Sequence, residues 1–109
     1  MKLAIIGSRN LEVQNLGDYL PSTVTEIVSG GARGIDTVAA TYAKQNGITL
    51  TEFLPDYQRY KRGAPLKRNQ QIADYADEVL AFWDGQSHGT MYTVDLFKKL
   101  GKNVTIVHL

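Results

Sequence analysis

The chain contains no cysteine, which removes disulfide frameworks, thiolate nucleophiles and every cysteine-containing zinc site. That absence suits a reducing, cytoplasmic setting. Net charge is almost absent as well. Twelve basic and eleven acidic side chains leave +1, too weak a field to hold the whole molecule against a nucleic-acid backbone or an anionic membrane, so any such binding has to be local. Long apolar runs are missing: the first, residues 3–6, is stopped by Gly7, far short of a membrane span or a signal peptide's apolar stretch. A non-membrane, unexported protein is expected. No repeat and no Pro/Gly/Ser-rich linker divides the sequence. With 109 residues of ordinary composition, 43% hydrophobic and 21% charged, residues 1–109 read as one domain with one packed core.

What is present is alternation. Short apolar runs at residues 3–6, 26–28, 48–54, 78–83 and 104–109 fit strands. Amphipathic stretches lie between them. Leu11, Leu16 and Leu20 fall on roughly one face of a helix over 11–20, and Ile35, Val38, Ala39, Tyr42 and Ala43 form an i, i+3, i+4 stripe ending at Gly47. Pro65 opens a segment running to Tyr75, and residues 90–100 close with Lys98, Lys99 and Gly101. The pattern predicts an α/β, Rossmann-like three-layer sandwich: a five-stranded, mainly parallel sheet with helices on both faces. The first and fourth runs are almost wholly apolar, as central strands buried on both faces should be. The order expected is 3-2-1-4-5, which places the ligand site outside the carboxyl ends of the strands, near the switch between strands one and four.

The turns leaving those ends concentrate glycine, hydroxyls and arginine: Gly7-Ser8-Arg9, Ser29-Gly30-Gly31-Ala32-Arg33-Gly34, Pro55-Asp56-Tyr57, and Asp84-Gly85-Gln86-Ser87-His88-Gly89-Thr90. Glycine lets backbone amides approach an anion, and a helix opening at each turn adds a favourable dipole. Any single turn could use glycine for backbone reasons alone, but several at one edge favour a ligand. The spacing fits neither the Walker loop nor the dinucleotide fingerprint. Lys67 and Arg68 fall in the first turn after Pro65, where a cation opposes the helix dipole unless an anion offsets it; Arg68 is the stronger candidate. Residues 56–64 interleave Tyr57 and Tyr60 with Arg59, Lys61 and Arg62, either a polar surface loop or a lid in which aromatics stack a base and cations hold its phosphate. His88 is the one histidine at this edge, His108 closing the last strand, and no ligand cluster for a metal forms around it. Neither a metal nor a cofactor is expected.

The ordered set Ser29-Gly30-Gly31-Ala32-Arg33-Gly34-Ile35-Asp36, Pro55, Arg68-Asn69, Ala76-Asp77, Ala81-Phe82-Trp83-Asp84-Gly85 and Gly89-Thr90 closely resembles the SLOG superfamily, more narrowly its small YspA-like branch. The resemblance spans essentially the whole chain and implies a Rossmann-like sheet that binds nucleotides or nucleotide-derived ligands. The glycine stretch is similar to the DNA-processing protein A family, whose members bind single-stranded DNA. Arg68 and Gly89-Thr90 are similar to motif positions of the Lonely Guy phosphoribohydrolases, but Gly85, Gln86 and Ser87 replace the P-G-G of that motif and Thr93 stands where its catalytic glutamate would be. Asp95, two residues on, points about 200° away around a helix.

Cleavage of an N-glycosidic bond needs a carboxylate beside the developing oxocarbenium ion or a base to activate water. The acids at this edge are Asp36, Asp56 and Asp84, so Asp36 and Asp84, with Arg68, are the catalytic candidates. An acid in a helix's first turn is also explained by the dipole alone. The leading expectation is binding or sensing of a phosphorylated nucleotide or nucleotide-derived small molecule. The ligand set is Gly7, Ser8, Arg9, Ser29, Gly30, Gly31, Arg33, Tyr57, Tyr60, Arg68, Asn69, Asp84, Gly85, Ser87, Gly89 and Thr90. The alternatives are an N-glycosidase and, disfavoured by the charge balance, a binder of single-stranded nucleic acid. Met91, Tyr92, Val94, Leu96 and Phe97 make a wider apolar surface than one core stripe needs, so a homodimer is expected.

Overall fold

The computed structural model describes residues 1–109. Five strands, β1 (Lys2–Gly7), β2 (Glu26–Ser29), β3 (Thr49–Glu52), β4 (Glu78–Trp83) and β5 (Asn103–His108), form one sheet. Their order is β3-β2-β1-β4-β5. All four pairings are parallel, with Leu3 opposite Ile27 on one side and Glu78 on the other, so the sheet is wholly rather than mainly parallel. Leu3 to Ile6 of β1 and Val79 to Phe82 of β4 are buried, which is what makes these two strands central. At the edges β3 and β5 keep exposed residues.

The helices are α1 (Ile35–Gln45), α2 (Tyr57–Tyr60), α3 (Ala64–Tyr75) and α4 (His88–Lys99). They cover both faces. Ile35, Ala39 and Ala43 of α1 pack with Leu3, Ile5 and Ile27 on one side, while Ile72 and Ala73 of α3 and Val94 and Phe97 of α4 pack with Ala4, Val28 and Ala81 on the other. The face changes where the strand order reverses, as right-handed crossovers require. No helix is long and apolar enough to cross a membrane.

Two local expectations are corrected. Residues 11–20 do not form a helix; they run as a loop carrying one 3-10 turn, Leu16–Tyr19. Leu16 is buried in the core while Leu11, Val13 and Leu20 pack against it partly exposed, and the Tyr42 hydroxyl approaches Gly17 so closely that a Cβ there would lie 2.9 Å from it. Val13 and Gly17 are poor helix formers, and the irregular path still brings the three leucines onto the core. Consequently the turn after β1 opens no helix. Residues 56–64 are not irregular either: Asp56 Oδ1 accepts from the Arg59 amide and caps α2, and a 3-10 turn, Lys61–Gly63, leads into α3. The last helix starts two residues before Thr90, because Ser87 is its N-cap and its Oγ accepts from the Thr90 amide.

Met91 and Leu96 of α4 pack against the core, and the Tyr92 hydroxyl accepts from Gln70. Much of the apolar width of α4 is thereby used inside this chain. At the far end of the crossover, Lys102 Nζ donates to the carbonyls of Ala73, Asp74 and Ala76 at 2.7, 3.1 and 2.8 Å, closing the carboxyl end of α3 with a cation.

Candidate functional site

The carboxyl ends of the strands open onto a cavity of about 510 Å³, within the range of small-molecule sites. Of the residues expected from sequence, Gly7, Ser8, Arg9, Gly30, Asp36, Arg68, Asn69, Asp84, Ser87, Gly89 and Thr90 line it. An adjoining lobe of about 220 Å³ is lined by Gly31, Arg33, Tyr57 and Pro55, and shares Arg9, Gly30, Ala32 and Arg68 with the main cavity. Ser29, Tyr60 and Gly85 line neither. Ser29 is fully buried at the end of β2. Tyr60 lies between the cations of Arg59 and Lys67, 5.3 and 5.7 Å from its ring centroid. Gly85, at φ 85°, turns against the last strand, where a Cβ would lie 2.8 Å from His108 Nε2.

Sequence reasoning did not single out Ile6, Asn10, Ala32, Pro65, Leu66 and Ile72 as lining residues, and placed Thr93 only as the position of a missing acid. Thr93 is one helical turn beyond Gly89, so the i, i+4 spacing was its signal. It is buried, and its hydroxyl donates to the Gly89 carbonyl at 3.0 Å. The position that carries glutamate in the phosphoribohydrolases thus faces the cavity with a neutral, internally satisfied group.

Arg68 is the centre of the site. It is only 8% exposed and is clamped by its own neighbours: Nη1 donates to the Gly30 carbonyl at 2.6 Å and Nε donates to Asn69 Oδ1 at 2.8 Å. A Cβ on Gly30 would collide with this guanidinium and lie 3.1 Å from Asp36 Oδ2, so glycine is required there for the arginine to reach across. Nη2 has no acceptor in the protein. Because every fully buried side-chain polar atom is bonded, Nη2 is not fully buried, and Arg68 lines the cavity. Burial and then the like charge of Arg9 pull the Arg68 pKa down, while Asp36 and Tyr57 support the charged form; with an ordinary value so high, Arg68 stays cationic.

Two carboxyls in the same cavity are pushed in opposite directions. Asp36 is 8% exposed, and burial raises its pKa against the opposing pull of the Ala32 amide and the Arg68 charge. Its Oδ2 accepts from the Ala32 amide at 3.0 Å. Part of the glycine turn expected to cradle a ligand anion is therefore already engaged by an internal carboxyl. Asp84 goes the other way: its Oδ1 accepts from the amides of Gln86 and Ser87, both at 2.8 Å, and these bonds lower its pKa. It shapes the β4–α4 loop, helped by Trp83, whose Nε1 donates to the Ser87 carbonyl at 3.0 Å. Ser8 Oγ accepts from the Asp84 amide at 3.3 Å, tying the first and fourth turns together.

The amino end of α4 also borders the cavity. Ser87 Oγ serves the Thr90 amide, leaving the amides of His88 and Gly89 with no acceptor inside the helix. Gly89 lines the cavity, and a Cβ there would meet nothing within 4 Å. His88 itself is exposed and does not line the cavity.

A profile of the YspA, cpYpsA-related SLOG family matches residues 1–60. The chain belongs to that family. The matched part of this SLOG chain holds Gly7-Ser8-Arg9, the glycine turn, Asp36 and the start of the tyrosine-bearing segment. No curated protein matches the chain. Among solved structures it is similar to DNA processing protein A from Streptococcus pneumoniae, with a TM-score of 0.73 and 22% identity over 96% of this chain and 49% of that one. The SLOG chain therefore spans about half the length of that protein, and the likeness is one of fold.

Proposed function

We propose that the chain binds a phosphorylated nucleotide or nucleotide-derived small molecule at the carboxyl edge of its sheet. The observation that carries this reading is Arg68: a buried guanidinium, fixed by Gly30 and Asn69, with one nitrogen left for a guest in a cavity bordered by the amino end of α4. A phosphate seated there accepts from Nη2 of Arg68 and from the free amides of His88 and Gly89, with Arg9 adding charge. Ser8, Asn69, Asp84 and Thr90 supply hydroxyl, amide and carboxylate partners for a ribose. Family membership supports a relation to nucleotides or nucleic acids. A thermal-shift panel of nucleotides tests the reading. A ligand at one hundred times its dissociation constant adds about 2.7 kcal/mol, roughly 10 °C or more in a domain of this size. Arg68→Ala retaining full affinity for the best ligand would overturn it.

A second reading, N-glycosidic hydrolysis of a nucleotide, draws on Asp36. A buried carboxyl that holds its proton above the usual carboxylate range can protonate a leaving base, while ionised Asp84 steers or deprotonates water. Incubation with nucleoside monophosphates decides it: no free base in the presence of demonstrable binding leaves binding alone. A third reading takes the cue of the structural neighbour's name, DNA processing. It requires affinity for single strands that falls steeply with salt, with a log-log slope of about −0.7 per neutralised phosphate.

A further inference from the structure

The two lobes of the site differ in charge, and that difference bears on the class of ligand. The main cavity contains two carboxyls, Asp36 and Asp84, with Arg9 and Arg68. The outer lobe is lined by three arginines, Arg9, Arg33 and Arg68, and by no acid. These cations come from three separate parts of the chain: the turn after β1, the turn before α1, and α3. Arg9 and Arg33 are exposed, and neither guanidinium has a protein acceptor. Glu52 is not among the lining residues, although its Oε2 would lie 3.4 Å from a Cβ on Gly31. Asp36 supports Arg68 from the main cavity while Arg9 opposes it, so the outer lobe keeps an excess of positive charge that favours an anion there. Tyr57, 56% exposed, and Pro55 supply an apolar wall on the same lobe.

We infer that the outer lobe seats a second phosphoryl group, which makes the ligand a nucleoside diphosphate or a diphosphate-linked nucleotide rather than a monophosphate. The inference rests on the nucleotide reading above. The lobes share Arg9, Gly30, Ala32 and Arg68 as a common wall, so a diphosphate crosses from one to the other without leaving the arginines. Whatever is attached to the second phosphate then lies against Tyr57.

The test is isothermal titration at fixed ionic strength with the four ribonucleoside 5′-monophosphates, the matching diphosphates and diphosphate-linked sugars, against the natural chain and Arg33→Gln. Arg33 has no protein partner to lose, and a thermal melt confirms that the variant folds. The expected result is a diphosphate preference of at least about tenfold, the size of a charge-assisted contact, which falls to about one in Arg33→Gln. Equal affinity for mono- and diphosphates overturns the inference and leaves the monophosphate reading intact, as does a preference that survives Arg33→Gln. A single-stranded oligothymidylate that binds more tightly than any diphosphate, with steep salt dependence, overturns it in favour of a strand. Failure of every nucleotide to bind overturns the parent reading along with it.

Discussion

Gly89→Ala separates the site from the fold because the two respond with opposite sign. Gly89 is the second residue of α4 and has no positive φ, so alanine adopts its conformation without strain. The added methyl meets no atom within 4 Å. Inside a helix, alanine is favoured over glycine by about 0.5–1 kcal/mol. For a chain of this length that corresponds to an increase of roughly 2–6 °C in the thermal midpoint. The same methyl enters the space through which an anion would approach the amides of His88 and Gly89. Losing one charge-assisted hydrogen bond costs about 1.5–3 kcal/mol, so affinity should fall roughly 10- to 100-fold. Calorimetry of the free protein and titration with the best nucleotide of the panel read the two effects independently. A general disturbance of α4 would lower both quantities. A stabilised variant with unchanged affinity would refute the placement of the anion at this helix end.

The other predictions follow from single contacts. Gly30→Ala forces the Arg68 guanidinium aside and breaks its bond to the Gly30 carbonyl, so both stability, by about 2 kcal/mol, and nucleotide affinity should drop; denaturant melts and titration check it, and an unaltered melt would mean that the clamp is dispensable. Asp36 has a raised pKa in the fold, so its contribution to stability is present below the unfolded value and is lost as pH rises through the folded one. Asp36→Asn, which can still accept from the Ala32 amide, should therefore flatten the pH dependence of the melt between those two values and strengthen anion binding at pH values where Asp36 is ionised; unchanged pH profiles in both assays would remove Asp36 from the account. Lys102→Met leaves three carbonyls at the end of α3 without their cation and should cost about 1.5–3 kcal/mol with no change in nucleotide affinity; a neutral melt would show that water replaces the ammonium.

The order of the sheet was legible because two different signals agreed. The all-apolar runs of β1 and β4 can be accommodated only by strands covered on both faces, and the glycine-rich turns mark where the crossovers begin. The failure at residues 11–20 shows where such reading stops. Periodicity registers that Leu11, Leu16 and Leu20 share a face, but not that a loop with one 3-10 turn brings all three onto the core once α1 already covers that side of the sheet. Whether a crossover needs a helix depends on how much apolar surface its neighbours leave bare. That is a property of the assembled layer and not of the segment.

The site was read less completely for a related reason. Gly30, Gly31 and Gly34 stand in the sequence as a phosphate cradle, and their conformations, with φ of 71° and 73° at Gly31 and Gly34, suit one. In the fold, Asp36 turns back to the Ala32 amide and takes up part of that capacity itself. A carboxylate four residues downstream of an amide is explained equally well from sequence by the helix dipole, so only coordinates distinguish a dipole partner from an occupant. The consequence is chemical. With the Ala32 amide already engaged by Asp36, a phosphate on the proposed reading relies on the arginines and on the amino end of α4 for its donors. Gly30 then serves first to let the arginine pass, and Gly89, already a ligand candidate in sequence, becomes the glycine whose missing side chain the proposed guest would use.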